Sequence, residues 1–479
     1  MEIISVPSFK LPQIICGGMG VNISTPLLAK TVSMLGEQGT ISGVALDRIL
    51  AMTLQSGDYG GHFRRALAHF PFPEIAHNVI QSFYSESKQN PLIQKRGVPV
   101  WTVAPSRLLI GLAVCANFAF VWLAKEGHTK PVSINYLEKL AMPHIYAITG
   151  AMLAGVDFIT MGAGIPLQIP NVINCIAENR LVEYNIHVSG TKLTSHTMIF
   201  NPKEFFGKDL PEVKRPGFIP IIASDSLAYI LSEKLPKGSI HGFVVEGWKA
   251  GGHNAPPRKV TRNEAGQALP VYGPKDEVNY AKIKALGLPF WIGGGLASPE
   301  HLQSALALGA TGIQVGSIFA LCNESGMMPA LRNEAREHGY IGDLVVRKDM
   351  LFSPTGFPFQ VAVLDGSVSE IQVYESRKRI CNQGMLVFLY EKPDGTIGYR
   401  CPSEPVSVFV RKGGNLKDTV GRGCLCNGLF ATVGIGSDTE PPLITLGDDL
   451  SFLRKVMKNP TDSYSAKDAI NFLLGEQHK

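Results

Sequence analysis

Eight short apolar runs recur along the first 330 residues, with helical patterns between them. They read 13–18 (QIICGG), 39–44 (GTISGV), 132–137 (VSINYL), 157–162 (DFITMG), 219–224 (IPIIAS), 242–247 (GFVVEG), 289–295 (PFWIGGG) and 312–317 (GIQVGS). Most are β-branched and apolar on both faces, as strands of a covered parallel sheet should be. Helices are expected at 25–35, 145–154 and 299–308, the last with Ser298 as N-cap and Gly309 as C-cap. Eight strands with intervening helices predict an α/β chain folded as a (β/α)8 barrel. A doubly wound open sheet is the competing layout, and the glycine-rich ends of the last two strands favour the barrel.

The rhythm breaks at 45–131 and 180–217, read as insertions, and in a polar Pro/Gly loop at 254–280. The first insertion holds a predicted helix at 73–83 and a strand or helix near 108–124. Long loops in compact domains commonly serve as lids or binding loops. Beyond about 345 the βα alternation stops. The expected organisation is a barrel over 1–344 and a smaller C-terminal extension over 345–479, with a terminal helix at 466–474.

Composition bounds the function. Of the 479 residues, 45% are hydrophobic and 18% charged, so a substantial core forms and disorder is excluded. A net charge of +5, scattered along the chain, gives no footprint for nucleic acid. The stretch 108–124 is uncharged, at the lower edge of a membrane span, and reads as a buried core element. The N-terminus lacks the basic and apolar regions of a secretory signal, so the expectation is a cytoplasmic protein acting on a small molecule, with no membrane or nucleic-acid partner. A homodimer is compatible with the sequence.

Three glycine-rich strand ends are candidate site elements. Gly17, Gly18, Met19 and Gly20 close strand one, where missing side chains let a flat ring lie against backbone; a plain tight turn explains them equally well. Gly294 and Gly295 after strand seven, with Gln314, Gly316 and Ser317 at strand eight, place free amides and a hydroxyl where barrels hold phosphate. The run from Glu246 through Gly252 to His253 ends strand six and presents an imidazole, which exchanges protons near neutral pH, to the barrel mouth.

With these words the chain resembles the FMN-dependent nitronate monooxygenase (2-nitropropane dioxygenase-like) family, relatives of the flavin enoyl-ACP reductases. The matching stretches are GGMGVNIS (17–24), INYLEK (134–139), GAMLAGVDFITMGAGIP (150–166), AGGH (250–253), IGGGLAS (292–298) and IQVGSIFALCNES (313–325). The resemblance implies an FMN-binding barrel in which residues 17–20 line the flavin. It also implies that Gly294, Gly295, Gly316 and Ser317 hold its phosphate, with Gln314 and Gly252 nearby and His253 as the catalytic residue. NAD(P)H is a candidate electron donor. Two positions depart from the family pattern: Lys249 stands for its Glu and Ala255 for its last Gly. Nitronate oxidation with O2 is the expected chemistry. An NAD(P)H-dependent enoyl-thioester reductase and a non-catalytic flavin-binding sensor are the alternatives.

Several residues stay open at this level. Asn135 and Glu246 are expected at the flavin, against a structural hydrogen bond and a strand-end ion pair. Lys139 and Lys249 read as charge partners of flavin or substrate, or as solvated lysines. Cys381, Cys401, Cys424 and Cys426 crowd into one region without a Cys-x-x-Cys pair; buried free thiols are the default reading, and zinc or an iron–sulfur cluster the alternative. No metal site is assigned.

Overall fold

The computed structural model describes residues 11–86, 97–262, 268–436 and 440–476. The start of the chain, on which the reading of a missing signal rests, lies outside them. Eight strands form one parallel sheet: β1 (Ile14–Cys16), β2 (Gly39–Ser42), β3 (Val132–Leu137), β4 (Phe158–Gly162), β5 (Gly217–Ile222), β6 (Phe243–Glu246), β7 (Phe290–Gly293) and β8 (Gly312–Val315). Their order is β1-β8-β7-β6-β5-β4-β3-β2. The ends of that order meet: Cys16 donates its amide to the Gln38 carbonyl and Gln38 to the Ile14 carbonyl, both at 3.0 Å. The sheet is a closed barrel, as the strand count predicts.

Each predicted strand is present, but most stop one or two residues before the apolar run does. The runs overshoot because their last residues leave the ladder to form turns. Ser224 caps the next helix and Ser317 begins one. The predicted helices are also found, at Pro26–Met34, Pro73–Phe83, His144–Leu153 and Pro299–Ala307. Ser298 accepts from the His301 amide as the expected N-cap, whereas Leu308 is the C-cap and Gly309 follows it at φ +89°.

Alternation along each strand divides the barrel interior from its helical coat. Ile15, Phe158, Ile219, Val244 and Trp291 form a separate apolar cluster within the barrel. Trp291 is 1% exposed and its Nε1 donates to the Pro12 carbonyl at 2.8 Å, tying the segment before β1 beneath the barrel. Two residues further along the same inward-facing rows come Gly17, Thr160, Ile221, Glu246 and Gly293. The same parity that fills the base with large side chains therefore aims the site residues into the mouth.

The stretch 108–124 is a helix, Arg107–Lys125, capped by Ser106. By length and composition it would cross a bilayer, yet 72% of its apolar window is buried inside the protein, as expected of a core helix. Residues 180–217 form an antiparallel hairpin, Val182–Ser189 with Ser195–Phe200, followed by the short helix Pro202–Phe206.

Residues beyond 345 lie against the barrel mouth. Val346–Asp349 and Phe359–Ala362 pair antiparallel, and Gly252–His253 from the loop after β6 joins as a third strand. The hairpin of Phe388–Glu391 and Ile397–Arg400 adds to Val182–Ser189. The last helix, Ala466–Leu473, packs against both Pro26–Met34 and Pro299–Ala307 and so completes the helical coat.

Trp291→Ala removes the largest side chain of the barrel-interior cluster. Urea denaturation of this variant should show a loss of about 3–5 kcal/mol relative to wild type, the usual range for truncating a buried large aromatic.

Candidate active site at the barrel mouth

A cavity of about 260 Å3 opens at the C-terminal ends of the strands. Its walls include all thirteen residues singled out from the sequence for the site: Gly17–Gly20, Asn135, Glu246, Gly252, His253, Gly294, Gly295, Gln314, Gly316 and Ser317. Strand ends separated by up to 300 positions in sequence thus surround one space, because a parallel barrel delivers all its C-terminal ends to one face.

The first glycine turn is held from both sides. Ser24 Oγ donates to the Gly17 carbonyl at 2.7 Å and accepts the Met19 amide at 2.9 Å. Asn135 Nδ2 donates to the Gly18 carbonyl at 2.9 Å, while its Oδ1 accepts from Thr160 Oγ1 at 3.1 Å. A Cβ at position 18 would stand 2.3 Å from Asn135 Cβ, so only glycine fits. Each end of the Asn135 amide thus makes a structural hydrogen bond, and the side chain also lines the cavity.

Across the cavity Gly294 and Gly295 turn at φ +104° and +70°, a region that disfavours side chains. Neither of their amides, nor those of Gly316 and Ser317, has a backbone partner among the described residues. This is the constellation of unengaged donors that an anionic oxygen requires. The Ser317 hydroxyl, expected to donate to phosphate, accepts the Gly447 amide at 2.8 Å, and its own proton is left to donate. Asp448 and Asp449 flank the turn, and the Lys249 stem packs on Gly295, so carboxylates and a cation border the donors together.

Glu246 projects into the cavity and belongs to no Lys or Arg ion pair among the described residues, so the strand-end ion pair is not formed. Burial pushes its carboxyl up to about 7. Lys139 covers the Phe357 ring at 3.8 Å, and burial lowers its ammonium below the usual lysine value. Lys249 lies over Trp248 at 5.6 Å.

His253 is fixed by residues that sequence reasoning did not find. Its Nε2 lies 2.8 Å from Ser353 Oγ, and its ring meets Phe359 edge-on with centroids 4.9 Å apart. Strand pairing of His253 with Phe359 holds the backbone. Nδ1 has no hydrogen-bond partner among the described residues. Burial, assisted by the charge of Lys139, lowers the imidazole to about 3, so the ring is neutral at physiological pH. Ser353, Phe359 and Gly447 lie 100 or more residues after the strands they serve, and no local motif announces them.

A second cavity, about 640 Å3, adjoins the first across Tyr136, Leu137, Leu140, Met385 and Leu386. His144 borders it but is not free: Nε2 lies 3.1 Å from the Leu137 carbonyl and Nδ1 3.2 Å from the Tyr184 hydroxyl. Burial lowers it to about 4. His62 is exposed and lines neither cavity.

Residues 218–349 match the family model described as nitronate monooxygenase. This segment carries the nitronate monooxygenase pattern. It contains all but the first residue of β5, β6 to β8, the AGGH and IGGGLAS stretches and all four unengaged amides. A probable nitronate monooxygenase from Bacillus subtilis (strain 168) is 33% identical over 98 residues, which is 20% of this chain and 25% of that protein. The match thus spans about a quarter of that curated relative. Among solved structures, FabK from Thermotoga maritima is 17% identical, with a TM-score of 0.48 over 97% of this chain and 92% of that one. A nitroalkane oxidase from Streptomyces ansochromogenes is 11% identical, with a TM-score of 0.47 over 97% and 95%. The resemblance read from the sequence is thereby shown on its C-terminal half, and the words at 17–24, 134–139 and 150–166 lie outside the matched residues.

Unfolded histidine protonates near 6.5, so the preference of the fold for neutral His253 and His144 contributes stability above that pH. It is lost as pH falls toward 4 and then 3. Glu246, raised to about 7, acts oppositely: its contribution is full below about 4.5 and lost as pH rises through 7. In NMR titrations of histidine-labelled protein, both rings should keep neutral-form shifts from pH 8 down to pH 5. A midpoint above 6 for either ring would contradict the burial argument.

Proposed function

We propose that the chain is an FMN-dependent oxidoreductase of the nitronate monooxygenase kind, acting on a small nitronate or related carbon acid with O2. The observation that carries this reading is a single cavity with side-chain-free turns and unengaged amides on one side and a neutral imidazole on the other. The fit to FMN rests on the Gly17–Gly20 turn, which lines the cavity with little side chain, and on the unpartnered amides of Gly294, Gly295, Gly316 and Ser317. Residues 17–20 would line the flavin ring, and the donors of β7 and β8 would hold its phosphate. When bound, FMN supplies the electron acceptor and, once reduced, the reaction with O2.

The protein's own groups manage position and protons. In the tautomer that donates Nε2–H to Ser353, Nδ1 of His253 presents a lone pair to the cavity. A base must be unprotonated to accept a proton, and the depressed imidazole meets that condition across the physiological range. With a neutral carbon acid the proton α to the electron-withdrawing group passes to Nδ1, and Ser353 keeps the ring in place during the transfer; a nitronate has already lost that proton and needs no such step. Leu137, Leu140, Met385 and Leu386 give the entrance an apolar wall that excludes water from the anion.

One observation favours a second reading. The adjoining cavity, about 640 Å3, exceeds what a small nitroalkane occupies and suits a longer chain such as an enoyl thioester, with NAD(P)H as electron donor. In that reading FMN sits in the same place. Oxygen uptake with alkyl nitronates supports the first reading. NAD(P)H-driven reduction of an enoyl thioester, without nitronate turnover, supports the second.

His253→Gln should leave the visible flavin spectrum of the purified protein intact and lower turnover of a neutral nitroalkane about 100- to 10,000-fold, the usual contribution of a positioned acid–base group. Turnover equal to wild type would remove His253 from the chemistry. Gly295→Val should instead abolish retention of FMN.

A further inference from the structure

The His253 imidazole faces one cavity and hydrogen-bonds away from it. It lines the smaller cavity, beside the glycine turns, and not the larger one. Its partner Ser353 is 0% exposed and lines neither. The next hydroxyl belongs to Thr355: its Oγ1 lies 2.8 Å from Ser353 Oγ, the same separation as between Ser353 Oγ and His253 Nε2. Thr355 is half-buried and lines the larger cavity. Asn185, His187 and Ser189 line that cavity too and are exposed, so it opens to solvent. An imidazole and two hydroxyls in a row therefore join the wall of one cavity to the wall of the other.

The hydrogen bonds give the row a direction. The Thr355 amide donates to Ser353 Oγ at 3.2 Å. In the tautomer that leaves Nδ1 a lone pair, Nε2–H donates to the same oxygen. Both lone pairs of the Ser353 hydroxyl are then taken, and its proton has Thr355 Oγ1 as acceptor. The Thr355 hydroxyl proton has no acceptor among the described residues and is left for water in the larger cavity. The bend that aligns these groups is braced from outside. Arg422 Nη1 donates to the Leu351 and Ser353 carbonyls, both at 2.6 Å, and the Gly423 amide donates to the Phe352 carbonyl at 2.8 Å.

We propose that Ser353 and Thr355 are a proton relay between His253 and the larger cavity. The relay rests on His253 acting as the base of the proposed reaction. A proton from a neutral carbon acid bonds to Nδ1, and burial and the charge of Lys139 disfavour the imidazolium so formed. The ring discharges at its far side. The Nε2–H bond breaks as that proton joins Ser353 Oγ, the Ser353 proton joins Thr355 Oγ1, and the Thr355 proton passes to water. One proton has entered at Nδ1 and one has left at Thr355, and the neutral ring keeps its hydrogen on Nδ1. When that hydrogen is given to an anion in the smaller cavity, water returns a proton along the same hydroxyls to Nε2, and the starting tautomer is restored. A base walled into one cavity thus exchanges protons with solvent through the other.

Thr355→Val keeps the shape of the side chain and removes the hydroxyl, and Thr355→Ser is the conservative control. In the histidine-labelled protein as purified, the His253 Nε2–H signal is identified by its loss in His253→Gln. Its exchange with water should slow roughly tenfold in Thr355→Val and recover in Thr355→Ser, a part of the usual acid–base contribution. Turnover of a neutral nitroalkane should follow the same pattern in kcat with KM held. The wild-type solvent isotope effect should curve with deuterium content, as it does when several protons move together, and become linear in Thr355→Val. Exchange and kcat equal to wild type in Thr355→Val would overturn the relay. So would a loss that Thr355→Ser does not restore, since that marks a packing role. Failure of the wild type to turn over any carbon acid counts against the proposed reaction alone, because Nε2–H exchange reads the relay without it.

Discussion

Closure of a fully parallel ladder is the constraint on which the rest depends. Once β1 is joined to both β8 and the Gln38 backbone, every strand must point the same way round the barrel. Most inward rows then run from a bulky base to a small or polar mouth, Ile221 being the exception. Trp291 and Phe158 occupy the base; Gly293 and Thr160 stand two residues above them. The large side chains exclude water below, and their absence above makes the cavity. Fold and site are two ends of one packing pattern.

The second constraint comes from the chain after residue 345. Its strand Phe359–Ala362 recruits the loop that carries His253, and Gly447 engages Ser317 beside the unengaged amides. The C-terminal residues therefore shape both sides of the cavity. Their burial of His253 has an electrostatic consequence: an imidazole walled by Phe359 and facing Lys139 is a base and not an acid at neutral pH.

The barrel was legible in the sequence because parallel strands are buried on both faces and appear as continuous apolar runs. The glycine turns were legible for a similar reason, since PFWIGGG cannot be explained by packing alone. Strand ends were less so, because hydropathy does not report where a residue leaves the ladder, as Ser224 and Ser317 show. For Asn135 the structure adds the bonds to Gly18 and Thr160, which spacing does not encode. Ser353, Phe359 and Gly447 were invisible, since nothing local in a Ser-Pro-Thr or Leu-Gly-Asp stretch reveals a partner 100 residues away. The four cysteines were visible as a crowd, but that they line one small void depends on a hairpin and a helix start that spacing does not encode.

The central claim is that backbone donors at the ends of β7 and β8 grip the phosphate of a flavin lying on the Gly17–Gly20 turn. Hydrogen–deuterium exchange of the purified protein, with bound flavin removed and then with FMN restored, reads those amides directly. The account predicts that FMN slows exchange at 294–297, at 316–318 and at 17–20, and leaves the hairpin at 388–400 unchanged. Unaltered exchange at all three turns, with protection confined to another part of the chain, would contradict it.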